Sequence, residues 1–237
     1  GLASAGANIM LVSRNIDEAN AAAKAIADDF GIRAIGHCAD VTDQSATEAM
    51  AALALEEFGK VDILIPSAGI NIRGAIDEIT LEEFKQVQDI NVTGTWLSNR
   101  AVIPNMKEQQ YGRIINLSSA LGLVGLANRT PYTSSKGAVT QMTRALSLEL
   151  AQHGITVNAI CPGSVEGERI DQVITAESRI RGLPEEMVRT EFVQSSSMTT
   201  FISADDVAAL ALFLCSSQGR YISGQAIGLD GNTEVKW

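Results

Sequence analysis

The chain has 237 residues, enough to bury one substantial core and too few for two ordinary domains. With 46% hydrophobic and 19% charged residues, and no apolar run approaching the ~20 residues of a membrane span, disorder and membrane insertion are both disfavoured. The 28 acidic and 18 basic residues give a net charge of −10, which repels phosphate backbones, so no nucleic-acid partner is expected.

Apolar runs of strand length alternate with stretches of helical periodicity. Asn8–Ser13 reads as a strand and Ile16–Asp29 as an alanine-rich helix. Ile32–His37 is a second strand, and Asp43–Phe58 a helix capped by Thr42 or Asp43. Val61–Ile65 is continuously apolar, as for a strand covered on both faces. A long helical region runs from Leu81 to about Lys107, with Pro104 near its end and Asn91 and Gly94 hinting at a local irregularity. Arg113–Leu117 is a strand, Pro131–Gln152 a helix stopped by Gly154, and Ile155–Ile160 another buried strand. A helix over Ala204–Ser216 and a strand over Ala226–Leu229 complete the pattern.

Strand–helix alternation requires crossover connections, hence a Rossmann-like α/β domain, a doubly wound parallel sheet with helices on both faces. Residues 1–237 read as one domain. Segment 164–203 breaks the rhythm; it is polar, holds Arg169, Arg179, Arg181 and Arg189 among glutamates, and leaves the carboxyl end of a strand, where a ligand crevice lies. It is expected to form a substrate lid. Its arginines either read an anionic substrate group or pair with the adjacent glutamates.

Cys38, Cys161 and Cys215 lie in or beside apolar segments and are expected to be buried free thiols. With no signal-peptide pattern in the opening residues, the expected location is the cytoplasm. Two histidines, His37 and His153, leave little material for a metal cluster, and no metal is expected.

The chemistry-bearing residues start with Tyr132 and Lys136, which lie at i and i+4 on one helix face. A phenol of ordinary pKa ~10 is a poor base at neutral pH, and a neighbouring ammonium favours the phenolate needed for proton exchange with an alcohol or ketone. Ser119, thirteen residues earlier at a strand's carboxyl end, is placed to hydrogen-bond a substrate oxygen. Asn91 is a low-propensity amide within a helical run.

Together with Ser67-Ala68-Gly69, Asn158 in VNAICPG and the closing SGQAIGLDG, these motifs resemble the short-chain dehydrogenase/reductase family over Asn8–Gly231. The resemblance implies a catalytic tetrad of Asn91, Ser119, Tyr132 and Lys136 and a nicotinamide cofactor. It implies that Tyr132 is the general acid/base, that Ser119 stabilises the reacting oxygen, and that Lys136 holds the nicotinamide ribose. Asn91 would position a water that relays protons to Lys136. Asp40 and Val41 would meet the adenine, Ser67, Ala68 and Gly69 the adenosine ribose, and Pro162, Gly163 and Val165 the nicotinamide end. Two departures stand out: serine at position 67, where the family commonly has asparagine, and Ser-Val-Glu-Gly after CPG, where it often has a cofactor-contacting threonine.

Cofactor choice is read at Ser13 and Arg14. No carboxylate follows the strand to accept bonds from a ribose 2′-hydroxyl, and a guanidinium suits a 2′-phosphate, so NADP(H) is favoured over NAD(H). The implied substrate is a small secondary alcohol or ketone, with groups resembling 3-oxoacyl-carrier-protein reductases and sugar or polyol dehydrogenases. Different readings on the same fold are a non-catalytic dinucleotide-binding sensor or scaffold, against which the tetrad's spacing speaks, and a lyase or epimerase. In the family, the Leu81–Lys107 and Tyr132 helices form subunit contacts, implying a homotetramer or dimer. Val235 and Trp237 suit a tail docked on a neighbouring subunit. A glycine-rich turn after a first strand is not found in the chain, and Gly6 reads as a helix stop. A further ~20–30 N-terminal residues, supplying one central strand and that turn, are therefore expected of the working protein.

Overall fold

The computed structural model describes residues 1–233; Val235 and Trp237 lie outside them. Four of the helices begin where a short polar side chain takes the first free backbone N–H groups. Asn15 accepts from Asp17 and Glu18 N–H to start α1 (Ile16–Phe30), and Asp43 does the same for Ser45 and Ala46 in α2 (Gln44–Phe58). Gly31 and Gly59, at φ 65° and 77°, close these helices in the left-handed conformation. Ahead of them, Ala3–Ala5 forms a 3-10 turn that Gly6 closes at φ 87°, in keeping with its reading as a stop.

The strands are β1 (Ile9–Ser13), β2 (Ala34–Cys38), β3 (Ile63–Leu64), β4 (Gly112–Leu117), β5 (Ile155–Pro162) and β6 (Ala226–Leu229). All pairings are parallel, in two ladders: β1 with β2, and β3-β4-β5-β6. Between β1 and β3 lies a cavity of about 680 Å³, lined by Ile9–Val12 on one side and Val61–Ala68 on the other. No described segment runs between these two edges. This accounts for the main difference from the expected strand over Val61–Ile65, which is reduced to two residues and only partly buried: β3 has a ladder partner on the β4 side alone.

Where the ladder is complete, burial is complete. β5 is buried at every position, and in β4 Ile114 points to one face and Ile115 to the other, at 0% and 1% exposure. Ile114 packs with Met106, Val102, Leu150, Val157 and Ile155; Ile115 packs with Ile160, Leu214 and Ala211. Each such side chain contributes about 1.5–3 kcal/mol of burial free energy.

The single helix expected over Leu81–Lys107 is three pieces. These are α3 (Leu81–Gln88), opened by a Thr80/Glu83 capping box, a π-helical turn over Asp89–Thr93, and α4 (Gly94–Glu108). Gly94 is required at the joint, since a Cβ there would stand 2.6 Å from Val41 Cγ2. α5 (Thr130–Leu150) crosses the sheet. Its inward face is Ser135, Lys136, Val139, Thr140, Thr143, Ser147 and Leu150. The more apolar stripe through Met142 and Leu146 is only partly buried, and Ala145 is exposed. The hydroxyls go inward because β4 offers them polar partners: Asn116 Nδ2 donates to Thr143 Oγ1 at 2.9 Å.

Residues 164–203 fold as a helical hairpin, α6 (Glu168–Arg181) and α7 (Glu185–Gln194), before α8 (Ala204–Cys215). The hairpin has its own small core of Ile170, Ile174 and Val188. Cys161 and Cys215 are buried, with burial pushing the Cys215 thiol up to about 11, but Cys38 is exposed, contrary to expectation. As the last residue of β2 it stands where the strand leaves the sheet, and its Sγ donates to Arg14 O.

The packing of α1 on β2 depends on Gly36, where a Cβ would meet Asn20 N at 2.6 Å and Ala19 C at 2.7 Å. These are backbone atoms, which cannot swing aside. Gly36→Ala is expected to destabilise the protein by about 1–3 kcal/mol, read as a lower midpoint in urea at unchanged slope. An unchanged midpoint would show that α1 can ride outward freely.

Candidate active site

The carboxyl end of β4 carries Ser118 and Ser119. Ser118 Oγ donates to Lys136 O at 2.9 Å and shares a hydrogen bond with Thr140 Oγ1 at 3.0 Å, fastening the strand end to α5. Ser119 is buried, and its Oγ accepts from Leu121 N at 3.1 Å, which opens the 3-10 turn Ala120–Gly122. With that lone pair used, the Ser119 hydroxyl proton is directed elsewhere. Gly122 lets the turn press onto α5: a Cβ there would lie 2.5 Å from Ser118 Oγ and 2.8 Å from Lys136 O.

Tyr132 stands in the first turn of α5, just after Pro131. Lys136, one turn on, is 6% exposed, and its Nζ donates to Leu117 O at 2.7 Å while lying 5.7 Å from the centre of the Tyr132 ring. Burial, with the positive charge of Arg169 second, lowers the Lys136 ammonium to about 8.

Asn91 is fully buried in the π-helical turn. Its Oδ1 accepts from Ile70 N at 2.8 Å, and its Nδ2 donates to Ile70 O at 2.9 Å and to Ser135 Oγ at 2.9 Å. The carboxamide thus clamps the segment after β3 onto α5. These bonds occupy the side chain, and the Asn91 carbonyl accepts from Thr95 Oγ1 at 2.8 Å.

The residues expected at the cofactor all lie at carboxyl ends of the parallel strands. Ser13 ends β1 and Arg14 follows it, Asp40 and Val41 follow β2, Ser67, Ala68 and Gly69 follow β3, and Pro162 ends β5 with Gly163 and Val165 after it. Asp40 accepts from Thr42 N and Thr42 Oγ1, and these bonds, with a smaller contribution from the Arg14 charge, hold its carboxyl below the usual range. Val165 bridges Ile202, tying the start of the hairpin segment to its end. A Cβ on Gly69 would sit 3.1 Å from Asn91 Oδ1 and 3.6 Å from Lys136 Nζ, so glycine keeps open a cradle beside the Lys136 ammonium. An ammonium beside a glycine-lined cradle, at the end of a parallel sheet, fits the hydroxyl-bearing ribose of a dinucleotide.

Two of the arginines singled out in the hairpin are structural. Arg181 pairs with Glu191 and Arg189 with Asp171, each within the hairpin. The charges that sequence reading passed over are Arg73 and Arg129, which converge on Glu177 of α6. Burial, with the Arg73 charge second, lowers Arg129 to about 10. The available signal was a basic residue three positions before Tyr132, one helical turn away.

The chain matches, over residues 1–232, the family described as enoyl-(acyl carrier protein) reductase. It is 34% identical over 232 residues to a D-beta-hydroxybutyrate dehydrogenase of Rhizobium meliloti, covering 97% of this chain and 90% of that protein. Its fold superposes on the crystal structure of sorbitol-6-phosphate 2-dehydrogenase from Erwinia amylovora with a TM-score of 0.95 and 29% identity, over 100% of this chain and 93% of that one. NAD+-bound xylitol dehydrogenase follows at a TM-score of 0.92 and 28% identity, over 98% and 91% of the two chains. With its parallel sheet, its strand-end loops and relatives of this kind along nearly its whole length, the chain belongs to the short-chain dehydrogenase/reductase family.

Proposed function

We propose that this protein interconverts a secondary alcohol and a ketone with NADP(H) as its preferred cofactor, Tyr132 acting as general acid and base. The observation that carries this reading is the pairing of Tyr132 with a buried Lys136 held in place by Leu117 O. The nicotinamide ring, when bound, supplies or accepts the hydride. Tyr132 gives its hydroxyl proton to the ketone oxygen in reduction and takes it back in oxidation. The Ser119 hydroxyl donates to that same oxygen as charge develops on it. Lys136, its Nζ beside the Gly69 cradle, binds the ribose hydroxyls and keeps positive charge near the phenol. Asn91 acts by position: its amide holds Ile70 and Ser135, and its Oδ1 and backbone carbonyl, each accepting one hydrogen bond, keep a second lone pair for a water serving Lys136.

Asp40 and Val41, Ser67 to Gly69, and Pro162, Gly163 and Val165 line the adenine-to-nicotinamide path in this reading, with residues 164–203 as the lid. Preference for the 2′-phosphate rests on exposed Arg14 at the end of β1, where an NAD enzyme would offer a carboxylate. Exposed apolar side chains on the outer helices, Leu81, Phe84, Trp96 and Leu148, support assembly into a homotetramer or dimer. Among the described residues no helix is long and apolar enough to cross a membrane. A cytoplasmic location is part of the proposal.

Tyr132→Phe is expected to reduce turnover at least about 100-fold while cofactor binding, followed by nicotinamide fluorescence, survives. Retention of more than a tenth of wild-type turnover would displace Tyr132 from its role. Arg14→Ala should raise the NADP(H) Kd roughly ten-fold or more, as for a lost charge-assisted bond of about 1.5–3 kcal/mol, and barely move that for NAD(H). Equal losses would assign Arg14 to adenine or to the fold.

The lowered Lys136 ammonium sets a pH dependence. Its charged form predominates below pH about 8 and is lost above it, so kcat/KM for ketone reduction should fall as pH rises through that value. Lys136→Arg keeps the charge and should carry the falling limb upward. A limb that stays in place would assign it to another group.

A further inference from the structure

Arg129 immediately precedes α5 and closes its first turn, its carbonyl accepting from Thr133 N at 2.8 Å. It therefore stands about one helical turn from Tyr132, a separation of ~5–6 Å between Cβ atoms. The preceding Asn128 adopts φ 59°, and its carbonyl accepts from Gly74 N at 3.3 Å, so the backbone that aims Arg129 is fixed before any ligand arrives.

The side chain is only 10% exposed, yet its guanidinium donates one hydrogen bond among the described residues, to Asn128 O at 3.1 Å. A guanidinium has five N–H donors, and those Arg129 does not spend on Asn128 need an acceptor from solvent or from a ligand. The neighbouring carboxylate does not meet that need. Glu177 lies 3.8 Å from Arg129, beyond hydrogen-bonding distance, and is held at 2.5 Å by Arg73. Arg73 is itself 17% exposed. Two largely buried guanidiniums thus share one carboxylate, leaving one net positive charge with donors to offer, beneath α6 and one turn from the acid/base. Lys136 and Arg169 lie on the same side of the charge balance.

We propose that Arg129 binds the carboxylate of a short oxo or hydroxy monocarboxylic acid and so selects the substrate class of this enzyme; this rests on the oxidoreductase reading above. The Arg73–Glu177–Arg129 cluster by itself carries one unit of excess positive charge, enough to hold a monoanion. The planar fork of the guanidinium matches a carboxylate, and the one-turn separation sets the carboxylate only a few bonds from the carbonyl that Tyr132 protonates. Arg129 is a specificity residue here and takes no proton.

The test uses the whole chain and a matched pair of ketones, acetoacetate and its neutral isostere acetoacetamide, with D-fructose 6-phosphate and acetoin as further arms. Wild-type kcat/KM for acetoacetate is expected to exceed that for the amide by roughly 100-fold, the scale of a buried charge pair. In Arg129→Gln that preference should collapse to below about ten-fold, while Arg129→Lys keeps most of it. A calorimetric titration of acetoacetate without turnover should show its Kd rising at least about ten-fold in Arg129→Gln. An amide as good as the acid in the wild type, or a preference unchanged in Arg129→Gln, overturns the proposal without needing the variant to be stable in the first case. Preference for the sugar phosphate assigns the charge to a phosphate and overturns it too. Turnover of acetoin with no preference for acids sinks this inference alone; no nicotinamide-dependent turnover in any arm sinks the oxidoreductase reading with it.

Discussion

The Asn91 carboxamide has no route to solvent, so its donors and acceptor must be met inside the protein, and the way they are met arranges the whole site. One partner, Ile70, lies on the segment leaving β3; the other, Ser135, lies on α5 between Tyr132 and Lys136. A regular α-helix through residues 81–108 would present Asn91 at a different angle. The π-helical turn at Asp89–Thr93 adds the extra residue that swings the amide inward, and Gly94 lets the turn approach Val41. One satisfied buried amide therefore fixes the Gly69 cradle, the pitch of α5 and the position of the Lys136 ammonium together. Removing it would leave Ile70 N–H and C=O without their partners, a penalty of about 1–3 kcal/mol for each.

Lys136 extends the same logic to charge. Its ammonium donates to Leu117 O, the last carbonyl of β4, so the strand that leads into Ser119 also holds the lysine one helical turn from Tyr132. The positive charge is expensive at that depth, as its lowered pKa records, and Arg169 adds to the cost. A chain of net charge −10 nevertheless gathers Lys136, Arg169, Arg73 and Arg129 around one end of one helix, answered by Glu177. Against the acidity of the chain as a whole, this local excess of positive charge favours small anions beside the first turn of α5.

Much of this was legible in the sequence, for physical reasons that differ from element to element. Residues Ile155–Ile160 read as a buried strand because apolar residues fall on both faces, and β5 is buried throughout, Thr156 and Asn158 included. The helix start at Asp43 and the stop at Gly154 follow from capping chemistry that is local to a few residues. Tyr132 and Lys136 fall together because their spacing is one helical turn. The π-helical turn was visible only as a misfit at Asn91 and Gly94, since the partners that justify it, Ile70 and Ser135, are 21 and 44 residues away. The inward face of α5 ran against hydropathy for the same reason: Thr143 is buried because Asn116 on a distant strand needs an acceptor. The Arg73–Glu177–Arg129 cluster joins three segments, with 104 residues between the first two members, and no local pattern marks it. Cys38 misled because hydropathy reports the segment, while exposure is decided at its last residue.

The division of the sheet separates two groups of residues. Arg14 and Asp40 stand just past the ends of β1 and β2, and Ser119, Tyr132 and Lys136 lie beside the β3–β6 sheet, with the 680 Å³ cavity between the two. The halves touch through side chains: α2 lies against α4, Arg100 pairs with Glu48, and Val41 rests on Gly94. Of these, only the Val41–Gly94 contact reaches the π-helical turn that carries Asn91, and it does so through apolar atoms without any hydrogen bond. An exposed ion pair such as Arg100–Glu48 contributes at most about 1 kcal/mol and transmits little. Changes at the β1–β2 end therefore meet the Asn91 turn through the apolar Val41–Gly94 contact, beside the broader packing of Ala51 and Leu2 on the clusters of the larger sheet.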